Sequence, residues 1–94
     1  MNAFKAECRR VIGIAMTRRG DAAAAEASFK MGIEESCDHG DYLLELLCAR
    51  DLLQFVYEPQ GREAEAKPLI EAAAGRMGKP VSDFDELLAK RRAW

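Results

Sequence analysis

The chain has 94 residues, with 14 basic and 16 acidic side chains and a formal charge of -2, so it makes one small domain without the cation surplus of a dedicated nucleic-acid binder. No apolar run approaches the roughly 20 residues of a membrane span, and the N-terminus lacks the apolar core of a secretory signal. Cys8, Cys37 and Cys48 show no C-x-x-C spacing, which argues against a disulfide framework or zinc ribbon and fits a reducing cytoplasm.

Charge is unevenly spread. Residues 34–58 hold seven acids against one base, Arg50, whereas residues 1–33 hold six bases and three acids. The ordinary meaning of such runs is a solvated face.

Every long segment has helical periodicity, and none alternates as a strand would. Phe4, Cys8, Val11, Ile12 and Ala15 form one apolar stripe of a first helix that ends near Arg19. Gly20 supplies the stop and Asp21 a suitable N-cap, so Arg19-Gly20-Asp21 reads as a turn rather than an adhesion tripeptide. A second helix follows to about Ser36, with Ala22, Ala25, Phe29, Gly32 and Ile33 on one stripe, and "CDHGD" provides the next turn. The third segment, 42–57, is apolar around most of its circumference (Leu43, Leu44, Leu46, Leu47, Leu52, Leu53, Phe55, Val56), with Asp51, Gln54 and Glu58 as its polar strip. Such a helix is covered on two sides and is the expected centre of the fold.

Pro59 and Gly61 end it. A fourth helix is predicted over 63–77, with Ala66, Leu69, Ile70, Ala73 and Met77 inward. Pro68 lies too far inside that span for its missing N–H to be harmless, so a kink or a later start is expected. Past Gly78 and Pro80, a last helix begins at Ser82, whose hydroxyl is placed to cap its first turn with Asp85 in an approximate capping box. Phe84, Leu87 and Leu88 give it an apolar edge. Lys90, Arg91 and Arg92 with Trp94 read as favourable charge at a helix C-terminus and a Trp folded onto the core, in preference to a nucleic-acid contact. Five helices on short connectors predict an all-α domain.

The helices also repeat. Laying Gly20 over Gly61 brings Ala25 onto Ala66, Phe29 onto Ile70, Gly32 onto Ala73 and Ile33 onto Ala74. This pattern resembles the tetratricopeptide repeat family, with Gly13, Gly20, Ala25, Phe29 and Gly32 at the signature positions of one unit and Tyr57, Gly61, Ala66, Ile70 and Ala73 at those of the next. Arg9 and Arg50 stand where the family has an early aromatic, Gln54 replaces the small mid-helix residue of unit two, and the turn-to-turn spacing exceeds the family's usual repeat of about 34 residues. The resemblance implies a single domain over 1–94. It holds two antiparallel helix pairs (about 4–36 and 41–78), stacked as a short right-handed α-solenoid, and a capping helix over about 82–92.

The family holds a peptide or helix of another protein in the groove of its first helices. Matching positions nominate Arg10, Ile14 and Thr17 from unit one and Asp51, Phe55 and Glu58 from unit two. Arg10 with Ile14, and Asp51 with Phe55, stand where the family's carboxylate clamp uses Lys and Asn. The resemblance therefore implies a mixed surface, basic at Arg10 and acidic at Asp51, with no clamp.

The expected function is a non-catalytic protein-interaction module or scaffold, with no cofactor, no metal, no nucleic acid and no membrane. Self-assembly is the alternative: repeat arrays normally need about three units to bury a continuous core, and a homodimer through the open repeat face would supply the missing cover. A third reading places a small metal-binding or redox sensor at Cys37 and His39, whose neighbours Asp38 and Asp41 add carboxylate donors. Ordinary turn chemistry, with Asp38 or Asp41 as N-cap, accounts for the same residues. No phosphate loop, Ser elbow or oriented Cys–His pair can be nominated, so no enzyme is expected.

Overall fold

A computed structural model describes residues 3–89, and every regular element among them is helical. Five α-helices run α1 Ala3–Arg18, α2 Ala22–Asp38, α3 Tyr42–Leu52, α4 Lys67–Arg76 and α5 Asp85–Ala89. The tail residues Lys90, Arg91, Arg92 and Trp94 lie outside the described residues.

One turn design recurs along the chain. Gly20, Gly40, Gly61 and Gly78 have φ of 80, 74, 69 and 70°, the left-handed region that glycine enters without a Cβ penalty. In each case the next residue's N–H reaches back five residues to a helical carbonyl: Asp21 to Met16 (2.9 Å), Asp41 to Ser36 (2.9 Å), Arg62 to Tyr57 (2.8 Å) and Lys79 to Ala74 (3.1 Å). This pairing satisfies carbonyls that the helix end would otherwise leave open.

The residue after the glycine decides how the next helix starts. Asp21 and Asp41 each accept the N–H three residues on (Ala24 and Leu44, both 3.1 Å), so α2 and α3 begin at once. Arg62 and Lys79 offer no such acceptor, and α4 and α5 are preceded instead by 3₁₀ turns over Glu63–Glu65 and Val81–Phe84. The expected start of the fourth helix at residue 63 is corrected to Lys67, which places Pro68 in the first turn, where it breaks no helical bond. The expected Ser82 cap is corrected as well: no side-chain hydrogen bond caps that segment.

α1 packs on α2, α2 on α3 and α3 on α4. Between α1 and α2, Gly13 lies on Phe29 while Ala6 and Arg9 lie on Gly32. A Cβ at Gly13 would sit 2.7 Å from the Phe29 ring, and one at Gly32 would meet Cys48 Sγ at 3.0 Å. These two glycines bring α1 onto α2, and α2 onto α3, at backbone distance.

α1 turns an unexpected face to the core. Its buried residues are Ala6, Gly13 and Ile14. The apolar stripe is on the other side: Phe4 is 81% exposed, Val11 54% and Ile12 42%, Ala15 is exposed and Cys8 half-buried. In α2 the stripe faces inward as expected, with Ala25, Phe29 and Gly32 buried and Ile33 half-buried.

α3 is the centre of the fold, as its composition requires. Leu44, Leu46, Cys48, Ala49 and Leu52 are buried, and so are Glu45, Arg50 and Asp51. The helix continues as a wide π turn over Leu53–Tyr57, which advances the register by about a residue and sends both Val56 and Tyr57 into the core. Of the polar strip expected at Asp51, Gln54 and Glu58, Asp51 is fully buried and the other two are half-buried. Gln54 Nε2 donates to Leu88 O (2.9 Å) and Arg50 Nη1 to Leu87 O (3.5 Å), so two side chains of the long third helical segment hold the carboxyl end of α5.

Candidate functional site

The six residues nominated from the repeat positions have distinct fates. Asp51 is 0% exposed and joins two helices: its Oδ2 accepts Arg10 Nη1 at 2.8 Å, and its Oδ1 accepts Arg50 Nη2 at 3.0 Å. Arg10 also reaches Glu7, one turn back, at 2.6 and 3.0 Å. The Glu7 hydrogen bond first, and Asp51 after it, hold the Arg10 guanidinium charged beyond its usual range. The basic and acidic ends expected of a groove are therefore one internal ion pair.

Ile14 belongs to the core cluster, and Thr17 Oγ1 donates to Gly13 O at 3.0 Å. Phe55 is half-buried and stacks on Phe29, with ring centroids 6.4 Å apart and planes 8° from parallel. Glu58, half-buried, lines a cleft beside α4. Arg10 and Asp51 are brought together; Phe55 and Glu58 face different surroundings from that pair.

Other polar clusters also tie the helices. Tyr57 Oη donates to Glu26 Oε2 at 2.9 Å, and both Arg62 terminal nitrogens reach the same carboxylate at 3.0 Å. The Arg62 guanidinium also lies 4.5 Å over the Tyr57 ring. Arg62 chiefly, helped by Lys30 and Tyr57, holds the Glu26 carboxyl down to about 2. On α3, Glu45 is 1% exposed and takes a two-pronged contact from Arg76 of α4 at 2.7 and 3.1 Å.

Clefts lined by described residues open at two places of interest. One is a cleft of about 430 Å³ between the amino ends of α1 and α3, lined by Phe4, Glu7, Asp41, Leu43, Leu44 and Leu47. With Val11, 54% exposed and further along α1, it places several large apolar side chains in water on one side of the molecule. The other is a cleft of about 390 Å³ beside α4. Leu53, Ile70, Val81 and Leu88 contribute its apolar lining, with Glu58, Glu63, Glu71 and Lys67 among the charged residues.

The first surface was present in the sequence as the α1 stripe; only its direction was hidden. The second draws on residues from six helical elements, and no local pattern joins them.

At the turn between α2 and α3, Cys37 is half-buried, His39 is exposed, and Asp41 is engaged in capping α3. Among the described residues no three His, Cys, Asp or Glu side chains gather where they could hold a metal ion. Burial pushes the Cys48 thiol up to about 12, so it is a packed side chain and not a nucleophile. No described helix is long and apolar enough to cross a membrane. Comparison with protein-family models, curated proteins and solved structures yields no match.

Proposed function

We propose that this chain is a non-catalytic protein-interaction module that takes a helix or extended segment of another protein chain on the face shared by α1 and α3. The observation that carries this reading is the direction of the α1 stripe. Phe4, Val11 and Ile12 stand in water on the side opposite the helix's buried residues, and Phe4 adjoins Leu43 and Leu47 across the first cleft. Covering one large apolar side chain returns roughly 1.5–3 kcal/mol, so a surface of this kind is a reservoir of binding energy.

The repeat resemblance supports the same reading. Helices packed on their sequence neighbours, with α1 also beside α3, suit a short solenoid whose first helices line a groove. The groove residues shift accordingly. Arg10 and Asp51 are engaged with each other, so the contact falls to Phe4, Val11, Leu43 and Leu47. Three free thiols favour a cytoplasmic setting.

The test is a double substitution, Val11→Asp with Leu43→Asp, at two exposed positions. The variant is expected to keep the far-UV circular dichroism melt of the wild type and to lose the proteins that the wild type retains from native extract. Retention of the same proteins by both chains would overturn the reading.

A further inference from the structure

The chain beyond α4 is attached differently from the rest. Val81, Phe84, Leu87 and Leu88 pack against the core, yet each is only half-buried, and no residue from 78 to 89 is buried. By contrast α2, α3 and α4 each bury several residues, among them Phe29, Leu46 and Ile70. The packing of this arm also leaves space, since Val81 and Leu88 share with Leu53 and Ile70 a cleft of about 390 Å³.

Polar attachment is equally thin. Among the described residues, the side chains that hold the arm are Gln54, whose Nε2 donates to Leu88 O at 2.9 Å, and Arg50, whose Nη1 reaches Leu87 O at 3.5 Å. Arg50 makes its closer contacts with Asp51, at 3.0 and 3.2 Å, and these do not involve the arm. Gln54 Oε1 is buried and accepts no hydrogen bond from a described residue. A buried acceptor without a donor carries a cost that contact with water removes, so the closed arm holds the Gln54 amide only half satisfied.

Gly78 supplies a pivot. It is exposed, has φ of 70°, and no described atom lies within 4 Å of where a Cβ would stand. Segments with few buried contacts are those that open at free energies below global unfolding. We propose that residues 79–89 form a hinged strap that swings away from α3 as a unit about Gly78 while α1 to α4 stay folded. In the closed state the strap is the intramolecular cover of Leu53, Gln54 and Ile70. The fold thus gates the exposure of one apolar surface while the α1 and α3 face stays open. This goes beyond the interaction-module reading and does not depend on it.

Residue-resolved amide hydrogen exchange on the full chain, in steps of urea below the unfolding transition, tests this. The probes are Asp83 and Asp85, whose N–H groups donate to Pro80 O and Ser82 O, with the amides of α3 as reference. The strap amides are expected to share one opening constant, about 100-fold or more above that of α3. That constant should grow with urea, with a slope smaller than the global one, because the opening exposes only part of the apolar surface.

Two substitutions separate the openings. Asp21→Ala removes the α2 cap, far along the chain from the strap, and should speed α3 exchange about five-fold while leaving the strap amides unchanged. Leu88→Ala weakens the closed state itself and should speed strap and α3 amides alike, by about ten-fold, because both openings release Leu88. Strap amides that match α3 in opening constant and urea slope, or that follow α3 in Asp21→Ala, make the arm part of the single folded unit and overturn the proposal. Strap exchange indifferent to urea and to Leu88→Ala reports fraying of single turns and overturns it too.

Discussion

In α2 the apolar stripe built on Ala25, Phe29 and Gly32 lies inside the molecule, whereas in α1 Phe4, Val11 and Ile12 lie outside it. The inward side of α1 carries one large apolar residue beside small and charged ones: Ile14, Ala6 and Gly13 are buried, and Arg10 is drawn onto Asp51. The two helices pack on each other, yet one is held by apolar volume and the other by close backbone approach and an ion pair. Regular spacing of apolar residues thus establishes that a helix has two faces; it leaves open which face the core receives.

The sharpest contrast comes from truncating one aromatic in each stripe. Phe29→Ala removes a fully buried ring and should cost about 3–5 kcal/mol in urea unfolding, while Phe4→Ala should stay within about 0.5 kcal/mol. Equal losses would erase the distinction between the helices. Asp51→Ala attacks the polar attachment of α1. It removes the carboxylate that Arg50 meets in a largely buried setting, leaves Arg10 with Glu7 alone, and should cost about 3–5 kcal/mol, at or below the loss from Phe29→Ala.

Gly13→Ala tests the close approach. It gains about 1 kcal/mol of helix propensity but drives a methyl group into the Phe29 ring, a crowding cost of about 1–3 kcal/mol, so the melting temperature should fall. Gly75→Ala makes the same chemical change with nothing within 4 Å and should raise it. The smallest effect is in acid. Glu26 titrates at about 2 in the fold against an ordinary 4.5, so its contribution is complete above pH 4.5 and lost as the pH falls toward 2. Glu26→Gln should flatten the fall of stability across that window, as followed by denaturant melts at successive pH values.

Much of the architecture was readable from residues. The turn glycines, the Asp21 cap, the inward stripe of α2 and the enclosed character of the third helix follow from local chemistry. What escaped was set by partners distant in sequence. Asp51 looked like part of a solvated strip because nothing near it reveals Arg10, 41 positions earlier. Gln54 looked exposed because its acceptor, Leu88 O, belongs to another helix. The start of α4 moved because Arg62 follows the turn glycine where Asp follows the earlier ones, a difference visible in sequence once the turn geometry is known.

The double attachment of Arg10 also bears on synthesis. The residues of α1 and α2 are synthesised before those of α3. At that stage Asp51 does not yet exist for Arg10, while Glu7, three residues before it on the same helix, does. Of its two counter-ions, Glu7 is therefore the one that Arg10 can meet within its own helix, whereas Asp51 is met only when α1 lies against the centre of the fold.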